Sequence, residues 1–278
     1  MRLYRSISPI PELVVEPITF EGNTYKTKSQ RISFLSRVIP SLLFYLRLVW
    51  LVIKASRRAK KGRYDTKAWC GSSLTSLRAL EQSGVSIEVT GFDHIRSLDG
   101  PAVFIGNHMS TLETFVLPVL ISSFKEATFV VKQSLVDYPV FKYIMRSRNP
   151  ITVGRSNPRD DFKAVMDGGV QRLNAGSSII IFPQTTRTSI FDPDQFNTMG
   201  IKLAKKAGVP VVPIALKTDA WGNGKLLKDF GKINPSKTVH FAFGAPLRIK
   251  DRGNEEHQHI VDFITGKLKE WNAETKQT

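Results

Sequence analysis

Apolar positions follow two regimes along this chain, and the change falls near Gly84. Before it, one long apolar run occupies 38–53 with Arg47 in its middle, and Lys54, Arg57, Arg58, Lys60, Lys61 and Arg63 follow directly. As a helix the run is about 24 Å long, short of the ~20 residues that cross a bilayer. A charge at its centre adds ~2.5–3.5 kcal/mol to full insertion. The run therefore reads as an interfacial or partly inserted anchor with its basic cluster at an anionic leaflet. A buried core helix is the alternative. Residues 65–84 read as a second, amphipathic helix with Trp69, Leu74, Leu77 and Leu80 on one face. Together the two are expected to form a hairpin on the cytoplasmic face of a membrane. Residues 1–30, which carry Pro9, Pro11 and Pro17, read as an irregular tail.

Beyond Gly84, short β-rich runs at 85–89, 102–105, 128–131, 151–153, 178–182, 211–216 and 239–243 alternate with helical stretches near 111–123, 139–147, 158–175, 197–207 and 255–271. Asn157-Pro158 marks a helix start, and Gly176 and Gly208 mark stops. Such alternation predicts an α/β fold with a mixed, mostly parallel sheet flanked by helices. The expected organisation is a tail (1–30), a helical membrane anchor (31–84) and an α/β domain (85–278). Sites in such folds lie at the carboxyl ends of strands.

Charge narrows the partners. The balance of 40 Lys+Arg against 24 Asp+Glu, net +16, favours a polyanion: nucleic acid, an anionic membrane surface or a phosphorylated substrate. No nucleic-acid module is recognisable and the basic residues partly cluster beside the apolar run, so no nucleic-acid partner is expected. The single cysteine, Cys70, rules out an internal disulfide, and no Cys/His cluster has zinc-ligand spacing. The Gly-x-Ser-x-Gly elbow of serine hydrolases is missing from the sequence.

The strand at 102–105 runs through Gly106 into Asn107-His108-Met109-Ser110-Thr111-Leu112-Glu113. Residues five apart on a continuous helix point about 140° away from each other, so His108 and Glu113 meet only if His108 sits on the turn before the helix. A carboxylate on one imidazole nitrogen would then fix the tautomer and leave the other nitrogen to take a proton. Ser110-x-x-Glu113 is equally a capping box, with Glu113 reaching back to the Ser110 backbone. The segment alone leaves both readings open.

Asn107-His108-x-Ser110-x-x-Glu113 resembles the first motif of the glycerolipid (lysophosphatidate-type) acyltransferase family: His, four residues, then Asp or Glu. Three further blocks follow in that family's order. Lys132-Gln133-Ser134-Leu135 with Pro139-Val140-Phe141, continuing to Ile151-Thr152-Val153-Gly154-Arg155, resembles the second. Phe182-Pro183-Gln184-Thr185-Thr186-Arg187-Thr188 resembles the third, and Val211-Val212-Pro213-Ile214-Ala215-Leu216 the fourth.

The resemblance implies transfer of an acyl group from an acyl-thioester, acyl-CoA or acyl carrier protein, to the hydroxyl of a lysophospholipid. No cofactor and no covalent acyl-enzyme are expected. His108 would be the general base and Glu113 its orienting partner. Arg187 is the first choice for the acceptor phosphate and Arg155 the second, with Lys132 adding a point charge. In the third block Gln184 stands where the family has Glu, and Thr185 where it has Gly. The acceptor pocket around Gln184, Thr185 and Thr186 is therefore expected to depart from the usual one; lysophosphatidate leads, with another lysophospholipid or a lyso-aminolipid open.

Overall fold

A computed structural model describes residues 21–28, 31–184, 186–224 and 228–274. Its strands are β1 (Thr24–Lys26), β2 (Ile87–Thr90), β3 (Val103–Gly106), β4 (Ala127–Lys132), β5 (Ile151–Val153), β6 (Ser178–Ile181), β7 (Val211–Lys217) and β8 (Val239–Phe243). They form one sheet in the order β1-β2-β8-β7-β3-β6-β4-β5. From β7 to β5 every pairing is parallel, whereas β8 runs antiparallel to β7, and β1 to β2. The sheet is thus mixed and mostly parallel, as the alternation predicts. Strands β3 and β6 are buried at every position, which explains why they read as unbroken apolar runs.

Ten helices are described: α1 (Phe34–Val38), α2 (Pro40–Lys60), α3 (Thr66–Gln82), α4 (Phe92–Arg96), α5 (Leu112–Ile121), α6 (Gln133–Asp137), α7 (Phe141–Ser147), α8 (Pro158–Asn174), α9 (Met199–Ala207) and α10 (Asn254–Glu274). Alternate strand residues feed two cores. Phe104, Ile180, Val212 and Ile214 pack under α2, α3 and α5. Val103, Ile105, Ile179 and Ile181 pack under α8, α9 and α10. The Asn157 side chain accepts the Arg159 N–H at the start of α8, and Gly208 closes α9 in the left-handed conformation, as the sequence implies.

The N-terminal expectations need two corrections. Thr24–Lys26, inside the segment read as an irregular tail, is a strand paired with β2; residues 1–20, 29 and 30 lie outside those described. The helix pair exists, but it is not set apart from the α/β body. Helix α3 packs on α5 and α2 on α7, and Phe44, Leu48, Leu77 and Leu80 share one core with Leu112, Leu117 and Phe104. Helix α2 has two apolar faces. Phe44, Leu48, Leu51 and Ala55 are buried, while Leu42, Leu46, Val49, Trp50 and Ile53 are exposed, and Phe34, Leu35 and Val38 of α1 extend that outer face. No helix among the described residues is long and apolar enough to cross a membrane.

Candidate active site

At the carboxyl edge, β3 ends on Gly106, whose backbone runs so close to β7 that an added Cβ would stand 3.1 Å from Ile214 O. Asn107 then replaces the strand ladder with its side chain. Its Nδ2 donates to Leu216 O and its Oδ1 accepts from Leu216 N, both at 2.8 Å. The main chain is thereby released to turn while staying fixed to β7. The next residue, His108, is clamped at both backbone groups. Its N–H donates to Gln184 Oε1 (2.6 Å), and its carbonyl accepts the Thr188 N–H (3.0 Å). Its ring lies flat on Phe182, with centroids 4.4 Å apart and planes 4° from parallel.

His108 Nδ1 sits 2.9 Å from Glu113 Oε1. The same oxygen accepts the N–H groups of Met109 (2.7 Å) and Ser110 (2.9 Å). Glu113 Oε2 accepts the Thr218 hydroxyl at 2.6 Å and lies 3.0 Å from Ser110 Oγ. Both readings of this segment therefore hold at once: Glu113 reaches back to the Ser110 backbone as a capping box does, and the same carboxylate orients His108. The helix itself starts one residue later than a Ser110 cap implies, with Thr111 at the N-cap and Leu112 first in α5.

Glu113 is completely buried, and burial by itself raises its carboxyl pKa. The hydrogen bond and charge of His108, the Thr218 hydroxyl and the Ser110 backbone overcome that effect and hold it below the ordinary carboxylate value. An ionised Glu113 has no proton to give, so Nδ1 of His108 is the donor. On a neutral imidazole Nε2 would then carry the lone pair, on a side chain 16% exposed. That is the electronic state of a general base.

Of the other expected site residues, Gln184 and Arg187 join this cluster, whereas Lys132 and Arg155 stand apart from it. Arg187 Nη1 donates to Thr111 Oγ1 and pairs with Asp229 Oδ1 at 2.6 Å. Thr186 is exposed beside it, and Thr185 lies outside the described residues. Lys132 ends β4 and Arg155 follows β5, two and three strands from β3 along the same edge. Arg155 has a left-handed φ of 61°, in a turn held by Asp161, which accepts the Gly154 and Arg155 N–H groups at 2.7 and 2.9 Å. Cys70 is buried on α3, and burial pushes its thiol up to about 12. Thr218, Asp229 and the Phe182 platform were not singled out from sequence; Thr218 sits 105 residues from Glu113, and only the fold makes them neighbours.

A family model described as Acyltransferase matches residues 86–217. The chain is 30% identical over 213 residues to a 1-acyl-sn-glycerol-3-phosphate acyltransferase of Pseudomonas aeruginosa, covering 77% of each chain. It is 28% identical over 170 residues to a chloroplastic enzyme of the same name from Arabidopsis thaliana, which is 61% of this chain but only 44% of that one. In fold it is similar to the crystal structure of the 1-acyl-sn-glycerophosphate acyltransferase of Thermotoga maritima, with a TM-score of 0.63 at 18% identity over 84% of this chain and 97% of that one.

Proposed function

Because this chain belongs to the acyltransferase family and is an O-acyltransferase, we propose that it moves a fatty acyl group from an acyl-thioester to the hydroxyl of 1-acylglycerol-3-phosphate. The observation that carries this reading is the His108–Glu113 contact of 2.9 Å at the carboxyl edge of the sheet. In the reaction, His108 Nε2 takes the proton of the acceptor hydroxyl as that oxygen attacks the thioester carbonyl. The carbon–sulfur bond then breaks, and the imidazolium returns the proton to the departing thiolate. Glu113 keeps the ring in one tautomer and balances its transient charge. A positioned base of this kind contributes about 10²–10⁴ in rate.

Arg187 is assigned the acceptor phosphate, since a guanidinium binds phosphate through paired donors. Arg155 and Lys132, on the same edge, supply positive charge for the phosphates of the donor. Either acyl-CoA or acyl carrier protein serves as donor, and no cofactor is required. The outer apolar face of α1 and α2, ending in the basic residues 54–63, is assigned to an anionic membrane surface, on which the lipid acceptor is met.

The test is release of free thiol from acyl-CoA by the purified protein with 1-acylglycerol-3-phosphate. His108→Ala should lower kcat about 100-fold or more. Full activity in that variant overturns the mechanism. Vesicle flotation separately tests the membrane assignment, and Leu46→Glu/Val49→Glu should release the protein from anionic vesicles.

A further inference from the structure

The cation assigned to the acceptor phosphate already holds an anion. Arg187 Nη1 lies 2.6 Å from Asp229 Oδ1, and the Thr111 hydroxyl donates to the same oxygen at 3.0 Å. Thr111 also accepts from Arg187, so the three side chains close a triangle at the start of α5, beside the His108–Glu113 pair. The Arg187 side chain is 17% exposed and that of Asp229 55%, so the carboxylate forms the outer half of the pair.

Asp229 is held through its main chain. Its backbone oxygen accepts the indole N–H of Trp221 at 3.1 Å. The residues after it are fixed to α2: Gly231 O accepts the Tyr45 hydroxyl at 2.5 Å, and the Ile233 N–H donates to Ser41 Oγ at 3.0 Å. Phe230, next after Asp229, packs on Tyr45, with ring centroids 5.4 Å apart. A phosphate seated on Arg187 therefore lies beside a tethered carboxylate. A phosphomonoester near −2 is repelled by that neighbour. A headgroup that carries its own cation is not.

We propose that Arg187 and Asp229 form a two-part headgroup site for zwitterionic acceptors, Arg187 taking the phosphate and Asp229 an ammonium group two carbons away. The enzyme then acylates a lysophosphatidylethanolamine-type acceptor by the same His108 chemistry, in addition to 1-acylglycerol-3-phosphate. This inference rests on the assignment of Arg187 to the acceptor phosphate.

Three acceptors with one acyl chain separate the possibilities: 1-acylglycerol-3-phosphate, the phosphoethanolamine diester and the phosphoglycerol diester, which has no ammonium. Each is presented in mixed micelles with acyl-CoA, and product is followed by mass spectrometry. Wild-type kcat/KM for the ethanolamine lipid should exceed that for the glycerol lipid by about fivefold, the upper range of an exposed ion pair. Asp229→Asn should remove that preference and raise kcat/KM for 1-acylglycerol-3-phosphate about twofold, because one repulsion is gone. Asp229→Ala should act in the same direction, and matching melting curves verify that both variants fold.

Equal use of the two diesters by the wild type overturns the proposal. So does a variant in which all three acceptors improve together, since Asp229 is then only a competitor for Arg187. Arg187→Ala identifies where a failure lies. If it spares all three acceptors, the assignment of Arg187 is wrong and the inference falls with it. If it impairs them while Asp229→Asn leaves the diester preference unchanged, the inference alone is wrong.

Discussion

Thr218→Val removes one oxygen from the most buried part of the site and leaves its shape in place. The Thr218 hydroxyl donates to Glu113 Oε2 at 2.6 Å, and neither residue reaches solvent. A hydrogen bond to a buried charge contributes about 1.5–3 kcal/mol, and valine matches the outline of threonine, so no cavity adds to the loss. Glu113 keeps its bonds from His108, Met109 and Ser110, which sets the expected loss near the middle of that range, about 2 kcal/mol. For a chain of this size that is a fall in Tm of roughly 5 °C. The carboxylate remains, less firmly placed, so kcat should drop about tenfold while KM for the acceptor changes little.

The pH dependence gives a readout that a purely structural role would not. Glu113 is held below its ordinary value, so its stabilising contribution is complete above the ordinary carboxylate range and is lost as pH falls through the folded-state value. Removing one of the groups that lower it moves the loss to higher pH. Melting curves from about pH 3 to pH 7 should show the variant's acid limb displaced upward. If the variant melts within about 1 °C of wild type and retains both its acid limb and its kcat, Thr218 is not a positioning residue and the account of Glu113 is wrong.

Three further outcomes are expected. Gln184→Leu strips the half-buried His108 N–H of its acceptor and should cost about 1 kcal/mol in denaturant unfolding and reduce kcat, whereas Gln184→Glu keeps an acceptor oxygen and should retain activity. Burial on the Trp271 ring pushes His240 down to about 4, so the unfolded chain takes up a proton that the folded one refuses. Stability should therefore decline as pH falls from about 6.5 toward 4, and His240→Phe should flatten that decline in a Tm-against-pH series. Cys70, whose thiol burial holds up to about 12, should resist a thiol reagent in the native protein and react once it is unfolded in guanidinium; rapid native labelling would contradict its burial.

What the sequence disclosed follows the range of the interactions involved. Seven strands were legible because each is an apolar run between turn residues. β1, α4 and α6 were not: they span three to five residues, too few to show a period, and they form on neighbours that sequence does not display. His108 and Glu113 were readable because they are five residues apart, and their competing interpretations proved to be one structure with two duties. Arg187 was readable as a residue but not as a pair, since Asp229 comes 42 positions later. Thr218 gave no signal at all at the end of an ordinary buried strand. For α2, apolarity alone could not separate a buried face from an exposed one, because the helix has both: Phe44 and Leu48 inward, Leu46 and Trp50 outward.

The two apolar faces of α2 constrain how the proposed membrane contact can be made. Withdrawing the helix to bury it in a bilayer would strip Phe44 and Leu48 from the core they share with α3 and α5 and break the bonds of Ser41 and Tyr45 to the segment that carries Asp229. The proposed association would therefore be a landing of the whole domain. The proposed landing face is already part of the folded domain, so little conformational entropy would remain to be lost on contact. On the proposed reading, one helix joins the landing face to the segment that carries Asp229.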